Sequence, residues 1–235
     1  MNIQKSEIKL DVNGEPVNAY FASPSDGGPG VLVLHAWWGL KQSFKEMCDQ
    51  LAEHGFTALA PDYYQGMVAN TIEEAKALME KRDDELAEET VKSAKDHLIS
   101  LCEGQPVGVM GFSMGAAWAL SMAAADPDIS AVVMCYGVGE ADLGQIKAKI
   151  LGHFAESDEW EPLKYVKQME EDMQKAGLDV TLHTYPGAAH WFMESDRPEY
   201  DPESAKLAWD RTFEFLDTSL RAHRAERRTP SGDEA

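Results

Sequence analysis

The pentapeptide Gly111-Phe112-Ser113-Met114-Gly115 follows the apolar run at 107–110 and precedes a helix-prone, alanine-rich run at 116–125. Gly-x-Ser-x-Gly in that setting constrains the chain strongly. It predicts a strand, a sharp turn and a helix, with the serine hydroxyl exposed at the tip of the turn. The two glycines leave room where a β-carbon would clash, and alanine favours the helix that follows. The helix N-terminus then faces any anion that develops at Ser113. A serine between glycines also suits an ordinary tight turn. The strand before it and the helix after it separate the two readings.

The rest of the chain supplies a matching frame. Residues 5–12 and 17–23 alternate apolar and polar side chains about Asn13-Gly14, which predicts an N-terminal β-hairpin. The unbroken apolar run 31–34 predicts a strand buried on both faces. Further strands are expected at 56–60, 107–110, 129–134, 150–154 and 180–185. Helices are expected at 41–54, closed by Gly55, at 163–176, closed by Gly177, and near 205–220. The stretch 71–102 is charged and helix-rich, with Thr71 and Glu74 spaced as a capping box. Strands that alternate with helices imply an α/β fold: a mostly parallel central sheet flanked by helices, with the hairpin as an antiparallel edge. A length of 235 residues, 44% of them hydrophobic, suits one domain over 1–220. The charged segment 221–235 is expected to be a disordered tail.

Composition narrows the function. The 41 acidic residues against 21 basic ones give a net charge of −20, which disfavours binding to nucleic acid. No apolar stretch is long enough to span a bilayer, and residues 1–7 hold no signal-peptide core, so a cytoplasmic protein is expected. Cys48, Cys102 and Cys135 are odd in number and widely spaced, which argues against a disulfide framework and against a metal cluster. Neither G-x-x-x-x-G-K-[ST] nor a strand followed by G-x-G-x-x-G is present, which disfavours nucleotide binding.

A serine hydroxyl is a poor nucleophile until a base takes its proton, and the base needs an orienting acid. After a nucleophile on such a turn, the partners follow in the order acid, then histidine. Of the seven histidines, His35, His54 and His97 precede Ser113, His223 lies in the tail, and His153 and His183 sit inside expected strands. His190 lies just past the last strand, behind the small residues Gly187-Ala188-Ala189, and is the candidate base. Asp158, in the loop after strand 150–154, is the candidate acid, with Glu156 and Glu159 as rivals. Asp158 also suits a cap for the helix that follows. Two backbone N–H groups are expected to hold an oxyanion: Met114, next to the nucleophile, and Trp37, in His35-Ala36-Trp37-Trp38-Gly39.

Segments 31–39, 55–64, 109–115, 152–158 and 185–192, in that order, resemble the dienelactone hydrolase family of α/β-hydrolases. The resemblance spans about residues 5–220. It implies an α/β-hydrolase fold, no metal or organic cofactor, and a Ser113–His190–Asp158 triad. It also implies hydrolysis of a small-molecule ester or lactone through an acyl-enzyme, by a monomer or simple homo-oligomer. Two departures stand out. The characterised dienelactone enzymes carry a cysteine where this chain has Ser113, and a glutamate where it has Ala36. A serine activated by histidine needs no such glutamate. The departures also make room for a broad carboxylesterase or thioesterase with little action on dienelactone itself. A non-catalytic ligand-binding module is a third reading, against which the intact set of three side chains argues. Family members hold a substrate carboxylate with arginines, for which Arg82 and Arg197 are the nearest candidates. His35, Trp38, Tyr136 and Trp191 complete the expected substrate-binding set, and 67–82 is a candidate lid.

Overall fold

Strands β1 (Ile3–Val12) and β2 (Glu15–Pro24) form the hairpin at one edge of the sheet in the computed structural model, which describes residues 2–221. Its turn places Asn13 and Gly14 at φ 54° and 89°, the left-handed pair that a two-residue hairpin requires. Strand β2 pairs antiparallel with β4 (Thr57–Pro61). From there β3 (Gly30–Leu34), β5 (Val107–Phe112), β6 (Ile129–Cys135), β7 (Lys149–Ser157) and β8 (Val180–Ala189) run parallel. The order across the eight-stranded sheet is β1-β2-β4-β3-β5-β6-β7-β8. Every residue of β3, β4 and β5 is buried. Those strands read as unbroken apolar runs because helices cover both of their faces.

Helices α1 (Gln42–Glu53) and α6 (Pro202–Leu216) cover one face, where Phe44, Leu51, Trp209 and Leu216 share a core with Val33 and Phe112. Helices α3 (Asp84–Leu101), α4 (Met114–Ala125) and α5 (Leu163–Lys175) cover the other. There Val91, Leu98, Ala119 and Met173 pack on Leu32, Val109 and Val132. Among the described residues no helix is long and apolar enough to cross a membrane.

Two elements differ from the sequence reading. Residues 71–102 form two helices, α2 (Ile72–Lys81) and α3, separated where Arg82 turns extended at ψ 133°. Thr71 and Glu74 do close the capping box on α2, and Asp83 caps α3. Charged residues continue through the break, so periodicity carries no mark of it. Strand β8 runs past Tyr185 to Ala189, through Pro186 and Gly187. Of the expected tail, residues 222–235 lie outside the described residues. Arg221 is described, donates to the carbonyl oxygen of His54 and lies over the Phe56 ring.

Candidate active site

Three parallel strands each end one residue short of a polar side chain. Strand β5 ends at Phe112 before Ser113, β7 at Ser157 before Asp158, and β8 at Ala189 before His190. Parallel pairing puts those carboxyl ends on one edge of the sheet, where open α/β sheets build ligand sites.

The turn at Ser113 is strained and tightly held. Ser113 adopts φ 51° and ψ −116°, a conformation that costs on the order of 1–3 kcal/mol in a non-glycine residue. Its N–H donates to the carbonyl oxygen of Cys135 at 2.8 Å, and its own carbonyl accepts from Ala116 at 2.9 Å. Helix α4 lies so close to the sheet that a β-carbon on Gly115 would stand 2.3 Å from the Leu34 oxygen. A β-carbon on Gly111 would stand 2.1 Å from the Gly115 oxygen.

Ser113 Oγ lies 2.9 Å from His190 Nε2, and His190 Nδ1 lies 2.7 Å from Asp158 Oδ2. Both the imidazole and the carboxylate are almost wholly buried. The other carboxylate oxygen accepts the N–H groups of Trp160 and Glu161, each at 2.8 Å. Burial works against the Asp158 anion, but the His190 hydrogen bond and charge and those two N–H groups outweigh it. They hold the carboxyl below its usual value. An ionised Asp158 accepts from Nδ1–H, which leaves Nε2 to accept the Ser113 proton. Glu156 is exposed and accepts the Gly187 N–H at 2.9 Å, so it belongs to the loop rather than to the histidine.

Tryptophans wall the histidine. His190 meets the Trp191 ring edge-on at 4.8 Å, and Trp160 approaches it at 6.4 Å. Trp37 contacts Trp160 and Trp191, while Trp38 contacts Trp37 and Trp191. Trp160 is 41% exposed and forms the open side of the wall, whereas Trp38 is fully buried behind it. Sequence reading missed Trp160, although it stands only two residues beyond Asp158.

The remaining expected substrate-binding residues divide. Arg82 reaches the site: Nη1 lies 2.9 Å from Met114 Sδ and the guanidinium covers the Trp118 ring, while Asp84 pairs with it. Arg197 does not reach it from an open side. Its guanidinium lies over Trp38 at 4.1 Å and Trp191 at 5.0 Å, paired with Glu199 and nearly buried. His35 is wholly buried, stacked on Tyr63 at 3.7 Å, with Nδ1 bonded to the Ala36 oxygen. Burial lowers its value to about 3, so it is a neutral core histidine rather than a substrate contact. Tyr136 is also fully buried; its ring meets His190 at 5.1 Å and its hydroxyl donates to Glu194. The candidate lid 67–82 begins with an irregular stretch pinned by the Ala69 N–H to the Trp38 oxygen and continues as α2. A cavity of about 600 Å³ between α3 and α4, lined by Val91, Lys95, Trp118 and Met122, lies on the flank and includes none of Ser113, Asp158 and His190.

A mostly parallel sheet between helix layers, with a strained serine between strand and helix and an aspartate and a histidine at later strand ends, defines an α/β-hydrolase. The model of the dienelactone hydrolase family matches residues 17–220. The chain belongs to the dienelactone hydrolase family. It is similar to Protein usf of Aquifex pyrophilus, 36% identical over 223 residues that cover 89% of this chain and 96% of that one. An Aquifex aeolicus protein provisionally named a carboxymethylenebutenolidase is 34% identical over 91% of this chain and 98% of its own. The crystal structure of a provisionally named dienelactone hydrolase from Klebsiella pneumoniae superimposes with a TM-score of 0.81. It is 27% identical and covers 92% of this chain and 99% of that one.

Proposed function

We propose that this protein hydrolyses small carboxylic esters or lactones through an acyl-enzyme on Ser113. The observation that carries the reading is the hydrogen-bonded chain from Ser113 Oγ through His190 to Asp158, at 2.9 and 2.7 Å. His190 Nε2 takes the hydroxyl proton as Oγ attacks the carbonyl carbon, and the carbonyl π pair moves onto oxygen. The oxyanion is held by the N–H of Met114, which as the first residue of α4 has no intrahelical acceptor, and by that of Trp37. Collapse breaks the ester C–O bond, and the leaving oxygen takes the proton from His190. In a lactone that alcohol stays tethered to the acyl group. Water then attacks the acyl-enzyme and gives a proton to His190. The second collapse returns that proton to Ser113 and releases the acid. Asp158 fixes the imidazole tautomer and stabilises the imidazolium.

A simple ester or lactone fits this site better than dienelactone itself. Ala36 stands where the cysteine enzymes carry a glutamate, Arg197 is turned onto indole rings, and Arg82 is already paired with Asp84. Free, buried Cys48, Cys102 and Cys135 fit a reducing compartment, and the cytoplasm is the proposed site of action.

Intact mass after exposure to a fluorophosphonate, with the adduct mapped by peptide, tests the reading. The expected result is one adduct on Ser113, absent from Ser113→Ala, whose turnover falls by several orders of magnitude. Folded protein without an adduct, or a Ser113→Ala protein that keeps most of its turnover, overturns it. A binding module would take up an ester and return it unchanged.

A further inference from the structure

Residues 135–137 grip the nucleophile's turn. The Cys135 oxygen accepts the Ser113 N–H at 2.8 Å. Gly137 packs so closely that a β-carbon there would stand 2.1 Å from the Ser113 oxygen. Between them Tyr136 is held at φ 39°, with its N–H on the His153 oxygen at 2.7 Å. Its ring is fully buried against Phe112, Phe192 and the edge of His190. One segment therefore touches the serine's backbone and the histidine's ring.

Glu194 lies four residues past His190, in the turn closed by its own N–H on the Trp191 oxygen at 2.9 Å. It is wholly buried, and its Oε1 accepts the Tyr136 hydroxyl at 3.0 Å. Its Oε2 is buried with no hydrogen-bond partner. The loop that carries the base and the segment that grips the nucleophile are thus joined by one side-chain bond between buried groups.

We infer that Glu194 is a positioning residue for hydrolysis: through Tyr136 it ties the His190 loop to the segment holding Ser113 and sets the distance between base and nucleophile. The inference rests on the reading of Ser113 and His190 as nucleophile and base. The charged and titratable groups that face Glu194 are Tyr136 and Cys135 from the end of β6, Asp196 and Arg197 from its own loop, and Lys41 at the start of α1. Lys41 is engaged by Asp196, and Arg197 by Glu199. Burial pushes the Glu194 carboxyl up to about 8, although the Tyr136 hydroxyl favours the anion. At neutral pH the tie is therefore a neutral acid and a phenol. At higher pH the bond to Tyr136 strengthens, but the buried charge leaves Oε2 without a partner, which favours opening of the His190 loop to water.

The test is the pH profile of ester hydrolysis by the whole chain and by Glu194→Ala, Glu194→Gln, Tyr136→Phe and the Tyr136→Phe/Glu194→Ala double variant. Glu194→Ala is expected to lower kcat about tenfold or more at pH near 7 with KM within about twofold, since the loss falls on geometry rather than binding. Glu194→Gln keeps an acceptor for Tyr136 and is expected to stay within about threefold of the wild type. It is also expected to lose the wild type's fall in kcat above pH about 8. Tyr136→Phe should match Glu194→Ala, and the double variant should be no worse than either. Full activity in Glu194→Ala, additive losses in the double variant, or a glutamine variant as slow as the alanine one would each overturn the inference. If Glu194→Ala does not fold, the glutamine profile and the rate of Tyr136→Phe decide. Fluorophosphonate labelling of wild-type Ser113 separates the two claims: an adduct there with no effect at Glu194 sinks only the tie, and no adduct sinks the reading beneath it.

Discussion

Asp158 differs from its neighbours in the same loop by what its two oxygens meet. One faces His190 Nδ1, and the other accepts the N–H groups of Trp160 and Glu161. In the sequence, Glu156, Asp158 and Glu159 are three carboxylates within four residues, and nothing local ranks them securely. Backbone N–H geometry selects Asp158, and that geometry exists only in the folded loop. Asp158→Asn keeps the shape and presents the wrong hydrogen-bonding face to Nδ1, so kcat should fall by about 10³–10⁴. Glu156→Gln and Glu159→Gln should change it by less than about threefold, since neither carboxylate meets the histidine. Steady-state kinetics on a chromogenic ester checks all three, and comparable losses at Glu156 would reassign the acid. Trp160 adds a second residue-scale expectation. Its exposed ring forms the open wall beside His190, and aromatic contacts contribute about 0.5–1.5 kcal/mol each. Trp160→Ala should therefore lower kcat/KM for aryl esters by about threefold to tenfold and leave small acetyl esters little changed. Equal losses on both substrates would mean that Trp160 supports the catalytic groups instead.

The junction of β5 and α4 shows what was legible at the scale of elements. Buried parallel strands announce themselves as short apolar runs, so β3, β5, β6 and β7 were readable, and with them the strand ends that carry Ser113 and Asp158. The break at Arg82 was not, because a charged surface helix has the same residue types on either side of a turn. The extension of β8 to Ala189 was hidden by Pro186-Gly187, which punctuate sequence but here lie in a strand at the sheet's edge. Arg197, His35 and Tyr136 looked available as polar side chains. Their burial comes from packing between distant elements, which spacing along the chain does not encode. The same holds for Glu194, one of 41 acidic residues until the fold encloses it. Gly115 tests the junction itself. Gly115→Ala would force α4 away from the Leu34 oxygen, now 2.3 Å from the added carbon's position. The expected loss is about 3 kcal/mol in urea unfolding. Labelling of Ser113 should slow as well, because the turn loses its strained φ. A stable, fully labelled Gly115→Ala protein would show that α4 can shift without disturbing the serine.

Across the whole molecule, charge and buried titratable groups set the response to conditions. A net charge of −20 repels itself, so added salt should raise Tm by screening it. In about 0.5 M NaCl, where the screening length is a few ångströms, the buried groups dominate the remaining pH dependence. Burial lowers His35 and His153 to about 3 from an ordinary 6.5. The unfolded chain takes up protons there that the fold refuses, so their contribution is complete above pH 6.5 and lost as pH falls toward 3. Glu194 and Glu161 run the other way. Burial raises them to about 8 and about 7 from an ordinary 4.5, so the fold keeps protons that the unfolded chain releases. Their contribution is complete below pH 4.5 and lost as pH rises through 7 and 8. Between pH 6.5 and 4.5 the two pairs oppose each other and Tm should be nearly level. Below 4.5 the glutamates stop changing, the histidines continue, and Asp158, held low by His190, loses its contribution too. Tm should therefore fall steeply there and decline gently from pH 6.5 to 8. Glu194→Gln removes one of these titrating groups, so its Tm relative to wild type should climb as pH rises from 4.5 to 8. Melting curves of the two proteins across that range decide the matter. Parallel curves would mean that Glu194 is ionised in the fold across that range, and then no alkaline titration of Glu194 can open the His190 loop.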